Sequence, residues 1–389
     1  MIYLDHHATT PVDPRVFEAM RPYFTEVFGN ASSRTHHAGW QAHDAVEKAR
    51  KQAAALMGAD AREVIFTSGA TEANHLAIAG VAAAAPQDRR HVVTLVTEHK
   101  SVLAPVARLV ESGWQVTELA VPPGGIVEAG AVAAVVGPQT ALVTAMLAHN
   151  EIGVVQPLAE IVHIAHAHGA LVHTDAVQAL GKLPVDVHAL GVDLASFSAH
   201  KLYGPKGVGA LFVRRGVEKR MRPVVTGGEQ ERGLRGGTLN VPGIVGFGAA
   251  CAVASGEIAD EAARLEGLRD RLWAGLRERV GEVSLNGAMA PRLPGNLNVH
   301  VAGVEGETLL LGLTEIAVSS GAACLSAEPS HALLALGLPR DAALSSLRFG
   351  LGRGTTAEDV DQAVTHVAEV VGHLRAMAPA ARASAGVRG

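Results

Sequence analysis

Two stretches of the sequence place polar side chains directly after apolar runs, where they could do chemistry. Asp175 ends one such run, and Gln178 follows three residues later. A buried carboxylate needs a positive partner, such as a protonated ring nitrogen or an amine. Another run is followed by Ser198, His200 and Lys201. A lysine after a strand is most often simply exposed, but one flanked by a hydroxyl and an imidazole suits an amine that forms a Schiff base.

A third stretch, Thr67–Glu72, follows an apolar run and opens a helical pattern. The backbone N–H groups of a helix N-terminus there could bind an anion such as a phosphate. A second interpretation stays open, in which this is an ordinary capped turn with Ser68 or Thr71 near the N-cap. The stretch is not a nucleotide-binding P-loop, because the terminal Gly-Lys-[Ser/Thr] is missing. A carboxylate for a pyridinium nitrogen, an amine and a phosphate site together are what pyridoxal phosphate (PLP) requires.

Motifs spread over nearly the whole chain carry a resemblance to a known family. They are Phe66–Glu72, Thr97–Lys100, Asn150–Gly153, Ser196–Lys201, Arg235–Thr238, Ser319–Cys324 and Arg348–Phe349. On these motifs the chain resembles the cysteine desulfurases, which are fold type I PLP enzymes among the class V aminotransferases, and in particular the housekeeping type that serves iron–sulfur cluster assembly. The resemblance implies an α/β fold with a mainly parallel seven-stranded sheet, helices on both faces and a smaller α+β domain.

The resemblance also implies a role for each site residue. Lys201 would hold PLP covalently and later move protons, Asp175 would keep the pyridine nitrogen protonated, and His99 would stack on the ring and act as an acid–base group. Gln178 would hydrogen-bond the phenolic oxygen. Asn150 would lie near that oxygen and the substrate carboxylate, which the guanidinium of Arg348 would bind. The phosphate contacts implied are Ala70, Thr71, Ser198 and His200, with Thr238 reaching the phosphate of the other subunit of a homodimer.

The two cysteines of the chain have different surroundings. Cys251 lies in an alanine-rich stretch, which is typical of a small buried residue. Cys324 follows a run of small residues and precedes Glu328-Pro329-Ser330, in a segment where a thiolate could be exposed. By resemblance, Cys324 would take sulfur from L-cysteine as a persulfide, leaving L-alanine. A partner protein would collect that sulfur for iron–sulfur cluster assembly or another thiolation route.

Other functions remain open at this level. The segment between Cys324 and Glu328 is shorter than in the housekeeping desulfurases, so the identity of the sulfur acceptor is not predicted. A selenocysteine lyase or an aminotransferase could use the same fold, since a fold does not determine chemistry. A sulfur-relay scaffold without turnover is disfavoured, because Lys201, Asp175, His99 and Cys324 are all present.

The elements that must position these residues follow from hydrophobic periodicity. Short apolar runs alternate with helical patterns through the first two thirds of the chain, which indicates βαβ units. The predicted strands are Glu63–Phe66, His91–Val96, Trp114–Leu119, Thr140–Leu147, Ala170–His173, Leu194–Phe197 and Val208–Val213. The predicted helices are Thr71–Ala84, Ser101–Ser112, Leu158–His168, Gly256–Val280 and Ala357–Met377. We predict a large PLP-binding domain over 15–255, a small domain formed by 1–14 and 256–377, and a frayed tail over 378–389.

Composition narrows the classes of protein further. Lys and Arg total 33 against 38 Asp and Glu, a formal charge of −5, which disfavours a nucleic-acid binder. Two cysteines in 389 residues suit a reducing compartment, and the cytoplasm is expected. No membrane span is expected, because the uncharged stretch 129–150 is broken at Gly137-Pro138. The 19 histidines show no ligand spacing that predicts a metal site.

Overall fold

The computed structural model describes residues 1–320 and 328–377. The strands of this part of the chain are β1 (Ile2–Tyr3), β2 (Val64–Thr67), β3 (His91–Leu95), β4 (Gln115–Leu119), β5 (Thr140–Thr144), β6 (Leu171–Asp175), β7 (Leu194–Ser198), β8 (Gly209–Val213), β9 (Val283–Leu285), β10 (Asn296–Val301), β11 (Ile316–Ala317) and β12 (Ser346–Gly350). Its helices are α1 (Pro14–Met20), α2 (Pro22–Thr25), α3 (His37–Met57), α4 (Ala70–Ala84), α5 (Lys100–Glu111), α6 (Ala129–Ala133), α7 (Leu158–Ala167), α8 (Val187–Leu190), α9 (Val241–Arg279), α10 (Gly306–Gly312), α11 (His331–Ala335), α12 (Arg340–Leu344) and α13 (Ala357–Met377).

Seven strands form the central sheet, in the order β2-β8-β7-β6-β5-β3-β4. Five neighbouring strands, β7 to β4 in that order, pair in parallel, and β8 pairs antiparallel with both β7 and β2. Six strands therefore run one way and β8 runs the other. The predicted seven-stranded, mainly parallel α/β sheet is confirmed, and each of the seven strands differs from its predicted bounds by one to three residues at an end.

Side chains of the sheet alternate between two cores, one on each face, as the period of a strand requires. Val93, Val143 and Phe212 belong to the core beneath α3, α7 and α9, whereas their chain neighbours Val92, Leu142 and Leu211 belong to the core beneath α4 and α5. Because both faces are covered, every residue of β2, β3, β5, β6, β7 and β8 is buried, whereas the edge strand β4 is partly exposed. This sheet is a rigid support whose carboxyl-end edge is available for a site.

Helix α9 differs from its prediction. It runs unbroken from Val241 to Arg279, so the change of composition near residue 255 is not the start of a helix. Its first half packs on α3, where Gly248 lies directly against Ala49, and its second half belongs to a third core with β10, β12 and α13. One helix thus passes through the predicted domain boundary at 255, and that boundary stays a prediction. Part of α9 is long and apolar enough to cross a membrane, but half of that part is buried, as in a core helix.

Candidate active site

A cavity of about 670 Å³ lies where the carboxyl ends of β6 and β7 meet the N-terminus of α4 and strand β12. Ligands of open α/β sheets bind at this edge. Ten of the predicted site residues line the cavity, namely Ala70, Thr71, His99, Asn150, Asp175, Gln178, Ser198, His200, Lys201 and Arg348. Thr238 does not line it and is exposed on the segment before α9. Cys324 and the predicted tail lie outside the described residues.

The amine of Lys201 points back into the protein from a single 3₁₀ turn, Ala199–Lys201, that follows β7. Its Nζ donates hydrogen bonds to the carbonyl oxygens of His7 (2.5 Å) and Ala8 (2.7 Å). Burial and the nearby guanidinium of Arg348 lower the pKa of this amine to about 8, although Asp5 and Asp175 oppose the shift. A lysine with a lowered pKa supplies the neutral amine that carbonyl chemistry needs.

Asp175 ends β6 and is held by neutral donors. Its Oδ2 accepts a hydrogen bond from Asn74 Nδ2 (2.9 Å), and its Oδ1 accepts one from the Val177 N–H (3.1 Å). Among the ion pairs of residues 1–320 and 328–377, none involves Asp175. A buried carboxylate that lines a cavity and has no ion-pair partner among the described residues suits a positively charged ligand atom.

A hydrogen-bonded chain links this carboxylate to His99. Asn74 Nδ2 also donates to Ser101 Oγ (2.8 Å), which lies 2.7 Å from His99 Nδ1. The Ser101 N–H donates to the same nitrogen (3.1 Å), so Nδ1 is an acceptor and neutral His99 carries its proton on Nε2. Burial lowers the pKa of His99, which favours this neutral form.

Asn74 and Ser101 are not predicted as site residues from the sequence. Asn74 lies one turn into helix α4, where an asparagine usually faces solvent. Its partners Ser101 and Asp175 are 27 and 101 residues away along the chain. A polar residue on an otherwise apolar helical face was the available signal.

The N-terminus of α4 has no side-chain cap. Its N-cap residue is Gly69, and neither Ser68 nor Thr71 caps it, so the capped-turn interpretation is wrong in that detail. The N–H groups of the first turn, which have no partner within a helix, are left beside Ser198, His200 and Lys206 on the cavity wall. This arrangement of amides, hydroxyls and an amine is suited to a phosphate group.

A glycine brings this helix terminus close to β7. A Cβ on Gly209 would collide with the carbonyl oxygen of Phe197 and lie 2.8 Å from Cα of Gly69. Strand β8 therefore holds the turn at Gly69 against the end of β7, from which Lys201 follows. Behind the turn, Glu72 accepts a hydrogen bond from the Ser68 N–H and pairs with Arg235 (both 2.8 Å).

Arg348 enters the cavity from β12. Its Nη2 pairs with Asp5 Oδ1 (2.8 Å), and its Nη1 donates to the carbonyl oxygen of Asn150 (3.0 Å). Its buried Nε has no hydrogen-bond partner among the residues that the structure describes. A carboxylate that binds this guanidinium would therefore share it with Asp5.

Comparison with known proteins identifies the family. Residues 2–363 match the aminotransferase class-V model. A cysteine desulfurase IscS from Anaeromyxobacter dehalogenans is 52% identical over 97% of this chain and 94% of its own length, and an IscS from Rickettsia rickettsii is 48% identical over 97% and 93%. A solved NifS-like protein superposes with a TM-score of 0.90 at 37% identity, over 96% of this chain and all of that one. DndA from Streptomyces lividans gives 0.78 at 39% identity, over 88% and 97%.

The chain is a cysteine desulfurase of the class-V aminotransferase family. The predicted family, its fold type I architecture and its dependence on PLP are thereby confirmed. The individual roles given to the lining residues stay predictions.

The cavity of this desulfurase fits PLP on the chemistry of its donors. Lys201 offers an amine with a lowered pKa, Asp175 is a carboxylate without a cation, and the uncapped start of α4 suits a phosphate. In residues 1–320 and 328–377, no group of three or more His, Cys, Asp or Glu side chains could hold a metal ion.

Proposed function

We propose that this desulfurase converts L-cysteine to L-alanine and takes the sulfur as a persulfide on Cys324, from which an acceptor protein removes it for iron–sulfur cluster assembly or another thiolation route. In this reaction the Cβ–S bond of the substrate breaks, an S–S bond to Sγ of Cys324 forms, and the carbon takes a proton to become the methyl group of alanine. No further oxidant or reductant is needed. The observation that carries the proposal is the meeting of Lys201, Asp175 and His99 in one cavity of a desulfurase chain.

The residues of the cavity divide the work. When bound, PLP supplies a ring that withdraws electrons from the substrate carbon next to the amine. Asp175 favours a protonated ring nitrogen, and Lys201, with a pKa near 8, takes and returns protons at that carbon. His99 can donate its Nε2 proton to a leaving group, and Arg348 orients the substrate carboxylate beside Asn150.

Mass spectrometry after exposure to L-cysteine tests the proposal. We expect one added sulfur atom on the peptide that contains Cys324, and none in Cys324→Ala. The matched control is Cys251→Ala, which should retain full sulfur transfer, because Cys251 is completely buried and burial raises the pKa of its thiol. Sulfide release by Cys324→Ala at the wild-type rate over many turnovers would contradict the assignment.

Cleavage of selenocysteine far faster than cysteine would instead indicate the selenocysteine lyase, and a need for a keto acid would indicate the aminotransferase.

We infer that the functional unit is a homodimer. Four large aromatic side chains near the N-terminus, Phe17, Phe24, Phe28 and Trp40, are each more than half exposed, which is typical of a surface that a partner covers. Thr238 is outside its own cavity, in agreement with a contact to the other subunit. Mixing Lys201→Ala chains with Thr238→Ala chains tests this, since one intact site per mixed dimer should give more activity than either variant alone. An active species with the mass of a single chain would contradict the homodimer.

We further propose that the protein works in the cytoplasm. Its content of two cysteines suits a reducing compartment, and a thiol that accepts sulfur must stay reduced. Cell fractionation followed by immunodetection would test this, and enrichment in a membrane or exported fraction would contradict it.

A further inference from the structure

A second lysine, Lys182, lies behind the cavity wall. Its Nζ donates a hydrogen bond to Gln178 Oε1 (2.8 Å). The Nε2 of the same amide donates to the carbonyl oxygen of His7 (2.9 Å), which also accepts from Lys201 Nζ (2.5 Å). A continuous chain of hydrogen bonds therefore joins Lys182, Gln178, the His7 carbonyl and Lys201.

The partners of Gln178 determine which way its amide points. An amine in this position can donate to Oε1, and the carbonyl oxygen of His7 can only accept, so the two contacts are satisfied in one orientation alone. In the opposite orientation the amide nitrogen would face an amine and the amide oxygen a carbonyl. The amide nitrogen keeps one further N–H, for which the described residues offer no partner, and Gln178 lines the cavity.

We propose that Lys182 is a positioning residue, which fixes the amide of Gln178 so that its free N–H can donate to the phenolic oxygen of PLP. The inference rests on the proposed function only in that PLP is bound at Lys201. Without Lys182, the side-chain amide of Gln178 could rotate by half a turn. It would then direct Oε1 toward the phenolic oxygen, and this oxygen repels a phenolate instead of binding it.

A change in the protonation of Lys182 does not weaken its positioning role. The charged and titratable groups that face it are Lys201, Arg348, Glu261, His6, His7 and His200. Burial, followed by Lys201, lowers the pKa of Lys182 to about 7. Both the charged and the neutral amine donate hydrogen bonds, so the orientation of Gln178 holds on either side of that value.

The pH midpoint of the visible absorption band of the holoenzyme tests the proposal without reference to activity. A donor to the phenolic oxygen stabilises the phenolate most when the neighbouring Lys201 linkage has lost its proton, and so keeps the midpoint low. We expect Lys182→Met to raise the midpoint by about one pH unit, the equivalent of one weakened hydrogen bond to a charged atom. Lys182→Arg, which keeps a donor, should have the wild-type midpoint. Lys219→Met, a change at an exposed lysine, should have no effect on the midpoint.

A double-mutant cycle separates positioning from simple loss of charge. If Lys182 acts through the amide, Lys182→Met should add nothing to the midpoint shift of Gln178→Leu. An unchanged midpoint in Lys182→Met, or an equal shift with and without Gln178, would overturn the proposal while leaving persulfide formation intact. Should Lys182→Met fail to fold, Lys182→Leu gives the same comparison, because it also removes the donor to Gln178 Oε1. A wild-type protein without a visible band would overturn both this inference and the PLP chemistry on which it rests.

Discussion

At the scale of single residues, the titration of Lys201 has a measurable consequence. The amine must be neutral to attack the aldehyde of PLP, and burial beside Arg348 lowers its pKa to about 8. We predict that the rate at which cofactor-free protein binds PLP covalently rises with pH and levels off above this value. Stopped-flow absorbance after mixing with PLP measures it. Arg348→Met should move the inflection to higher pH, because it removes a neighbouring positive charge, and a rate independent of pH would contradict the assignment.

Asn74 gives a second prediction at this scale. Asn74→Ala removes the donor to Asp175 Oδ2 and to Ser101 Oγ, both in buried surroundings. We expect a loss of about 1–3 kcal/mol in the free energy of unfolding, measured with urea, and a higher dissociation constant for PLP. The control is Asn286→Ala, which also breaks two buried hydrogen bonds, to Asn298 and Ser346, but in the core of β10 and β12. It should destabilise similarly and leave PLP affinity unchanged. Equal affinity losses in both variants would show that the effect on PLP is indirect.

At the scale of elements, the sequence predicts what is local and misses what depends on distant packing. The buried parallel strands β3, β5 and β6 each contain a short apolar run, so they are recognised where they occur. The antiparallel direction of β8 is set by its pairing with β2 and β7, which periodicity does not encode. The prediction begins this helix at Gly256 and misses the first half of α9, because the two halves meet different surroundings, one buried against α3 and one partly exposed.

The site follows the same rule. Lys201 and Asp175 are recognised because each lies at or shortly after the carboxyl end of its own strand. Asn74, Ser101 and Lys182 are missed because their importance comes from partners that only the folded chain brings near. Lys182, four residues after Gln178, has the ordinary features of a surface lysine in the sequence.

Two glycines of α9 give a matched pair of predictions. A Cβ at Gly248 would lie 2.5 Å from Cα of Ala49 on α3, so Gly248→Ala must push the two helices apart. We expect a loss of about 1–3 kcal/mol in unfolding free energy. Gly256, on the same helix, has open space around the position of a Cβ, and Gly256→Ala should stabilise by about 0.5–1 kcal/mol because alanine favours the helix. Urea unfolding measures both, and a stabilising Gly248→Ala would refute close packing of α3 on α9.

At the scale of the whole molecule, Arg353 ties the third core to the elements around the large sheet. Its guanidinium pairs with Asp13 (2.6 Å), just before α1, and with Glu261 (3.0 Å) on α9. It also lies over the ring of Tyr203, 4.3 Å from the centroid, and its backbone N–H donates to the hydroxyl of that tyrosine. Tyr203 follows Lys201 by two residues, so the contact that joins the cores is also close to the site.

Loss of this guanidinium should weaken the molecule in a pH-dependent way. Arg15 and then Arg353 hold the pKa of Asp13 below its usual range, although burial opposes them. A carboxyl with a lowered pKa stabilises the fold above its unfolded pKa of about 4, and that contribution is lost as the pH falls. We expect Arg353→Met to lose about 1–3 kcal/mol at neutral pH, and the difference from wild type to shrink in acid. Arg271→Met, which breaks an exposed pair with Asp361, should change little at either pH. Urea unfolding at neutral and acid pH provides the measurement, and a difference that grows in acid would mean that Arg353 does not stabilise the carboxylate.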